Sequence, residues 1–168
     1  MQFTLLMRFT DGPQPAPNPT ASAQRGQVVF NQIGCALCHT PQMQTAPVMQ
    51  SAVLENRPVN LFSDLLLHHM GAGLADNIIQ GQAGPDELRT VPLWGVGQRL
   101  FFLHDGRTSD LLQAIQQHFS AASSATSATS TSTASPAYPA SEANAVVSKF
   151  RSLSKSDQQA VLDFLRSL

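Results

Sequence analysis

With 168 residues and a 42% hydrophobic composition, the chain has material for one modest core, and its length favours a single domain. Ten Lys and Arg nearly balance eleven Asp and Glu, and the formal net charge of -1 offers no basic field for nucleic acid or an anionic membrane. Only 12% of residues are charged, yet no apolar run approaches the roughly 20 residues that a membrane span needs.

In chain order, residues 1–21 begin with Phe3, Leu5, Leu6, Met7 and Phe9, an apolar stretch that reads as the end of a preceding helix. Arg8 follows this run instead of preceding it, which makes a poor signal peptide. The Pro-rich linker DGPQPAPNP then keeps the backbone extended. From about Ser22 a helix is expected, with Val29, Phe30 and Ile33 on one face and Gly34 as its stop signal. Residues 41–60 carry Pro41, Pro47 and Pro58 and no sustained period, so a loop is expected. FSDLLLHHMGAG suggests a short helix with Ser63 as cap and Gly71 or Gly73 as terminator. The Pro- and Gly-rich stretch from Asp86 to Thr108 reads as an extended or looped path.

Helical pattern resumes at Asp110, where Asp110 and Gln113 have the spacing of a capping box. Leu111, Leu112, Ile115 and Phe119 supply the apolar stripe, and His118 falls on the same inward face. Residues 120–141 are mostly Ser, Thr and Ala, with too little to bury to offset the entropy of ordering, and are expected to be a flexible insertion. Two closing helices follow; Ser156 and Gln159 suggest the second one's cap, and Val161, Leu165 and Leu168 its buried face. No alternating strand stands out, so the reading is all-α, with long irregular loops.

The chemistry is concentrated in GCALCHTPQ. Cys35, Cys38 and His39 form the Cys-x-x-Cys-His attachment motif of c-type haem, in which two thiols add to the vinyl groups and the adjacent imidazole takes the iron. A thioredoxin-like dithiol would need a βαβ setting, and a zinc site further ligands at structural spacing, whereas the chain has no third cysteine. A disulfide would leave His39 unexplained.

The ligand opposite His39 is the open question. His68, His69, His104 and His118, and Met43, Met49 and Met70, are the candidates, and a vacant position is the remaining option. His118 is placed to arrive from across a pocket, the plainer alternative being a buried histidine hydrogen-bonded in the core. Met70 lies in a plausible ligand loop, against ordinary core packing. His104, in the turn FLHDGR, is a candidate for the haem surroundings, as are Arg89, Arg99 and Arg107 for pairing with propionates. Trp94 is a candidate for packing against the porphyrin, with plain burial as its rival.

Taken in order, FNQIGCALCHTPQ, FSDLLLHHMGAGLAD, ELRTVPLWGVG, LHDGRT with a helix ending in His118, and FRSLSKSDQQAVLDFLRSL resemble the C-terminal haem domain of the bacterial di-haem oxidoreductase family, related to the di-haem cytochrome c peroxidases. In that superfamily an HDG turn precedes a helix whose far end supplies an axial ligand. The resemblance therefore favours His118 as distal ligand, with Met70 second. It implies a cytochrome c-like domain over residues 22–168 carrying one covalent haem c, with residues 1–21 leading from an N-terminal haem domain as partner. It also implies electron transfer as the function and, because covalent haem is assembled after export, the periplasm or cell exterior. The alternative is a peroxidase reacting at this haem through an open sixth position, with His104 or His69 as acid-base residue. The Ser/Thr insertion after His118 departs from the short connection the resemblance leads one to expect.

Overall fold

The computed structural model describes residues 2–10, 12–47, 52–126 and 136–168. Met49 and residues 127–135 of the Ser/Thr stretch lie outside the described residues. A first helix, α1 (Gln2–Phe9), leaves Phe3, Leu6 and Met7 exposed. The linker after it lies against the body. The amide of Ala16 donates to the Ser167 carbonyl at 2.8 Å, and Gly12 sits so close to Trp94 that a Cβ would stand 2.8 Å from the indole ring.

The core is organised by α2 (Ala21–Ile33) and α5 (Lys155–Arg166), which pack against each other. Thr20 caps α2 by accepting from the Ala23 amide, and Gly34 ends it in the left-handed region at φ 104°. Helix α2 buries Ala23, Gly26, Val29, Phe30 and Ile33, an i, i+3, i+4 stripe. Gly26 permits the close crossing: a Cβ there would stand 1.9 Å from the carbonyl oxygen of Ala160. Phe30, Phe62 and Phe164 meet edge to face, with centroids 5.3 to 6.4 Å apart. Ser22 donates to Asp163 at 2.6 Å and Arg25 pairs with Asp157 at 2.9 Å across the same helix pair.

Between these helices in chain order come α3 (Leu111–Gln117) and α4 (Asn144–Ser152), which contribute Leu111 and Phe150 to the core. Asp110 caps α3 as expected, accepting from Leu112 and Gln113, but the box closes differently. The Gln113 side chain engages the Thr108 hydroxyl, which itself accepts from the Asp110 amide. Helix α5 is capped by Ser154, which accepts from the Asp157 amide, two residues before the expected Ser156. Ser154 stands just outside the helix with extended ψ, whereas Ser156 already lies within it.

The all-α expectation is overturned by two small antiparallel sheets. In one, β1 (Met43–Gln44) pairs with β2 (Pro58–Val59), in register Met43 to Val59, within the segment expected to be loop. In the other, β3 (Leu67–His69) pairs with β4 (Glu87–Arg89), with His68 opposite Leu88. The fold is mixed, helices with two hairpin-like sheets.

The second sheet replaces the helix expected over FSDLLLHHMGAG, and local chemistry explains why. Phe62 and Leu65 have φ of 51° and 60°, which no right-handed helix accepts. The Ser63 hydroxyl donates to the Thr90 carbonyl at 2.7 Å and accepts from the Leu65 amide. Asp64 accepts from the Leu66 amide. Side-chain oxygens thus take over the backbone partners of the first turn and leave residues 67–69 to pair with β4.

The ends of the Ser/Thr stretch are held. Ser120 and Tyr138 are buried, Ser123 bridges to Tyr138, and the Ser141 hydroxyl donates to the His118 carbonyl at 2.6 Å.

Candidate haem site

Past Gly34 the chain winds into a 3-10 turn, Cys35–Leu37, and the His39 amide donates to the Cys35 carbonyl at 2.9 Å. The stop signal of α2 therefore delivers both thiols and the imidazole in one tight turn. Cys35 packs against the core cluster, whereas Leu37 between the cysteines is 77% exposed. Both thiols are free.

These residues line one cavity of about 300 Å³, whose wall is mainly apolar. His118 lines the same cavity from the end of α3, together with Phe30, Leu111 and Phe150. His39 and His118 share a local arrangement. The Nδ1 of His39 lies 3.0 Å from the Phe62 carbonyl oxygen, and that of His118 2.8 Å from the Ala114 carbonyl oxygen. A carbonyl oxygen can only accept, so Nδ1 carries the proton in each ring and Nε2 keeps its lone pair.

Burial lowers the proton affinity of both histidines. His39 falls to about 4, against a partial restoring effect of the Phe62 carbonyl, and it also senses His118 electrostatically. His118 falls in the same direction despite the Ala114 carbonyl. Both imidazoles are neutral at neutral pH, the state in which they ligate a metal. Burial also raises the thiols: Cys35 to about 12, and Cys38 upward, with Asp64 and Glu142 adding to the effect.

The other sequence candidates separate by position. Met70 is buried and lines the cavity, as do His68, Arg89, Arg99 and the exposed His104. Met43 is 37% exposed on β1 and, like Trp94, Arg107 and His69, is not part of the cavity wall. Trp94 lies against Gly12, Arg107 reaches the Gly73 carbonyl at 2.7 Å, and His69 pairs with Asp86 at 3.0 Å. Asp105, beside His104, is taken by Arg107 at 2.6 Å.

One arrangement escaped the sequence reading. His68 is held between Asp64, 2.9 Å from Nε2, and Glu142, 2.8 Å from Nδ1, with the Cys38 sulfur 3.8 Å from the same Nδ1. Burial opposes a charge on His68, but hydrogen bonds to Glu142 and Asp64 outweigh it and raise its proton affinity. Asp64 also fixes the motif, its amide donating to the Cys38 carbonyl at 2.8 Å. Asp64 precedes His68 by four residues, a visible spacing, whereas Glu142 arrives from beyond the insertion without a local signal.

Residues 15–134, more than two-thirds of the chain, match the family model described as "Di-haem oxidoreductase, putative peroxidase". The chain belongs to this di-haem oxidoreductase family. The matched span includes Cys35, Cys38, His39, Met70 and His118. No curated protein and no solved structure matches the chain. Membership makes this a haem-binding oxidoreductase family chain, and the donor set fits such a group. Two thiols and two neutral imidazoles with unblocked Nε2 atoms line an apolar cavity. No helix among the described residues is long and apolar enough to cross a membrane.

Proposed function

We propose that residues 22–168 form an electron-transfer unit holding one haem c. Cys35 and Cys38 would bear the thioether bonds, and His39 and His118 would be the axial ligands. The single observation that supports this reading most is the shared tautomer: each imidazole spends Nδ1 on a backbone carbonyl, and both line one cavity. When bound, the haem supplies one-electron chemistry. The protein's part is to hold the two imidazoles in fixed orientation, to exclude water with the apolar wall, and so to limit reorganisation when charge changes.

The chain has two cysteines and hence one attachment motif, whereas the family description names two haems. We read the second haem as belonging to a partner domain or protein. Because covalent haem is attached after export, the periplasm or cell exterior is the compartment this reading requires.

The test is production of the chain with a c-type haem maturation system, followed by haem staining after denaturing electrophoresis. A stained band is expected, and it should be lost in the Cys35→Ala, Cys38→Ala double variant. Haem that leaves the denatured wild-type chain would overturn covalent attachment.

A further inference from the structure

A second opening, of about 380 Å³, adjoins the apolar cavity. The two share Val96, Arg99, Phe102 and Leu111 as a common wall, in which Arg99 is the charged member. On its far side the second opening is lined by Arg166, Ser109 and Asp110.

The arginines are brought together by backbone packing. A 3-10 turn, Val96–Gln98, carries Arg99 at its end, and it lies directly on the C-terminal end of α5. A Cβ on Gly97 would stand 2.2 Å from the Arg166 carbonyl oxygen, so the turn approaches α5 as closely as glycine allows. The Gly95 amide donates to the Leu168 carbonyl at 2.7 Å and pins the same contact.

The negative groups nearby are mostly engaged elsewhere. Asp110 accepts from the Leu112 and Gln113 amides as the cap of α3. Asp163 accepts from Ser22 and Gln159 and lies 3.8 Å from Arg166. Arg99 donates to the Pro92 carbonyl at 3.4 Å, and among the described residues it pairs with no carboxylate. Its guanidinium is thus available at the boundary between an apolar and a polar space.

We propose that Arg99 and Arg166 form the receptor for the two propionates of the haem, which pass the common wall and end in the polar opening. This inference rests on the haem reading above and names the residues that take the cofactor's charged edge. Haem is an apolar plate with two carboxylates on one edge. A carboxylate left in the apolar cavity would incur a large desolvation penalty, and guanidinium forks at the exit offset it. The opening assigns the roles selectively: Arg89 and His104 line the apolar cavity but not the polar opening.

The test compares the haem-loaded full chain with Arg99→Gln, Arg166→Gln, the double variant and Arg89→Gln. Resonance Raman of the propionate-bending band reads hydrogen bonding to the carboxylates, and spectroelectrochemistry reads the midpoint potential. Each of the first two variants should move the band to lower frequency and lower the potential, because removing a nearby cation favours the more positive ferric state. The double variant should move both further, and Arg99→Lys should keep most of the wild-type potential. Arg89→Gln, which removes a cation from the apolar wall, should leave the propionate band as in the wild type whatever it does to the potential. An unchanged band and potential in a double variant that retains covalent haem would overturn the assignment while leaving the haem reading intact. A shift of the propionate band confined to Arg89→Gln would move the receptor to β4. Absence of covalent haem from the wild type would remove the haem reading itself, and this assignment with it.

Discussion

The Nδ1 of His118 lies 2.8 Å from the carbonyl oxygen of Ala114, one helical turn earlier on α3. The bond fixes both the ring orientation and the tautomer, so the capped helix α3 sets how the His118 Nε2 is presented to the cavity. Asp110 at the start of that helix and Ser141, which binds the His118 carbonyl, hold its two ends.

If His118 is the ligand, His118→Ala should keep covalent haem yet change the ferric spectrum from low-spin to high-spin. The same variant should gain reactivity with hydrogen peroxide relative to the wild type, because the sixth position opens. His118→Met should remain low-spin and have a higher midpoint potential. Visible spectra and potentiometry decide between these outcomes, and a His118→Ala spectrum identical to wild type would remove His118 from the iron.

The thiols of the haem-free chain should be unreactive near neutral pH. Cys35 is raised to about 12 and Cys38 is raised as well, so the nucleophilic thiolate is scarce at pH 8. Alkylation by iodoacetamide should therefore rise with pH at both sites, with Cys35 the slower and still rising at the highest pH at which the fold persists. Peptide mapping by mass spectrometry separates the two. Rapid labelling of Cys35 at pH 7 would contradict the burial that raises it.

The α2–α5 crossing should tolerate no added atom at residue 26. Gly26→Ala would put a methyl against the Ala160 backbone, which cannot move without displacing α5. The expected loss is about 1–3 kcal/mol or more, read as a lower urea midpoint, although alanine is the better helix former by about 1 kcal/mol. A neutral or stabilising outcome would mean that the helices are farther apart.

Glu142→Gln should weaken the hold on His68. The proton affinity of His68 is raised in the fold above its usual 6.5, so the ion pair stabilises fully below that pH and the contribution is lost as pH rises through the raised value. Glu142 itself stays ionised above its usual 4.5, from which its hydrogen bond to His68 lowers it. The variant should therefore be less stable by about 0.5–1 kcal/mol between these limits, a figure reduced by the exposure of Glu142, and should converge with wild type in alkaline solution. An NMR titration should show the His68 value falling. An unchanged titration would assign the shift to Asp64 alone.

The parts of the fold written in local sequence were legible. The stripe of Val29, Phe30 and Ile33 with its stop at Gly34, and the Asp110 cap of α3, are local signals that the structure follows. By contrast, Thr20, ahead of the expected start near Ser22, caps α2, and Phe119 of the expected stripe stays 38% exposed. The Cys-x-x-Cys-His turn follows from where Gly34 ends α2. The strands were not legible, because the pairing of Leu67–His69 with Glu87–Arg89 depends on side-chain oxygens of Ser63 and Asp64 taking backbone partners in a run that otherwise looks helical. The clamp on His68 was hidden for a different reason. Glu142 lies 74 positions away, beyond the Ser/Thr stretch, and long-range charge pairing leaves no periodic trace.

Whether His39 and His118 face each other across the iron is read by near-infrared magnetic circular dichroism of the ferric haem-loaded chain. Its charge-transfer band distinguishes two nitrogen ligands from nitrogen with sulfur. The expected band lies in the bis-histidine region and is lost in His118→Ala. A band in the histidine–methionine region would contradict it and transfer the distal position to Met70.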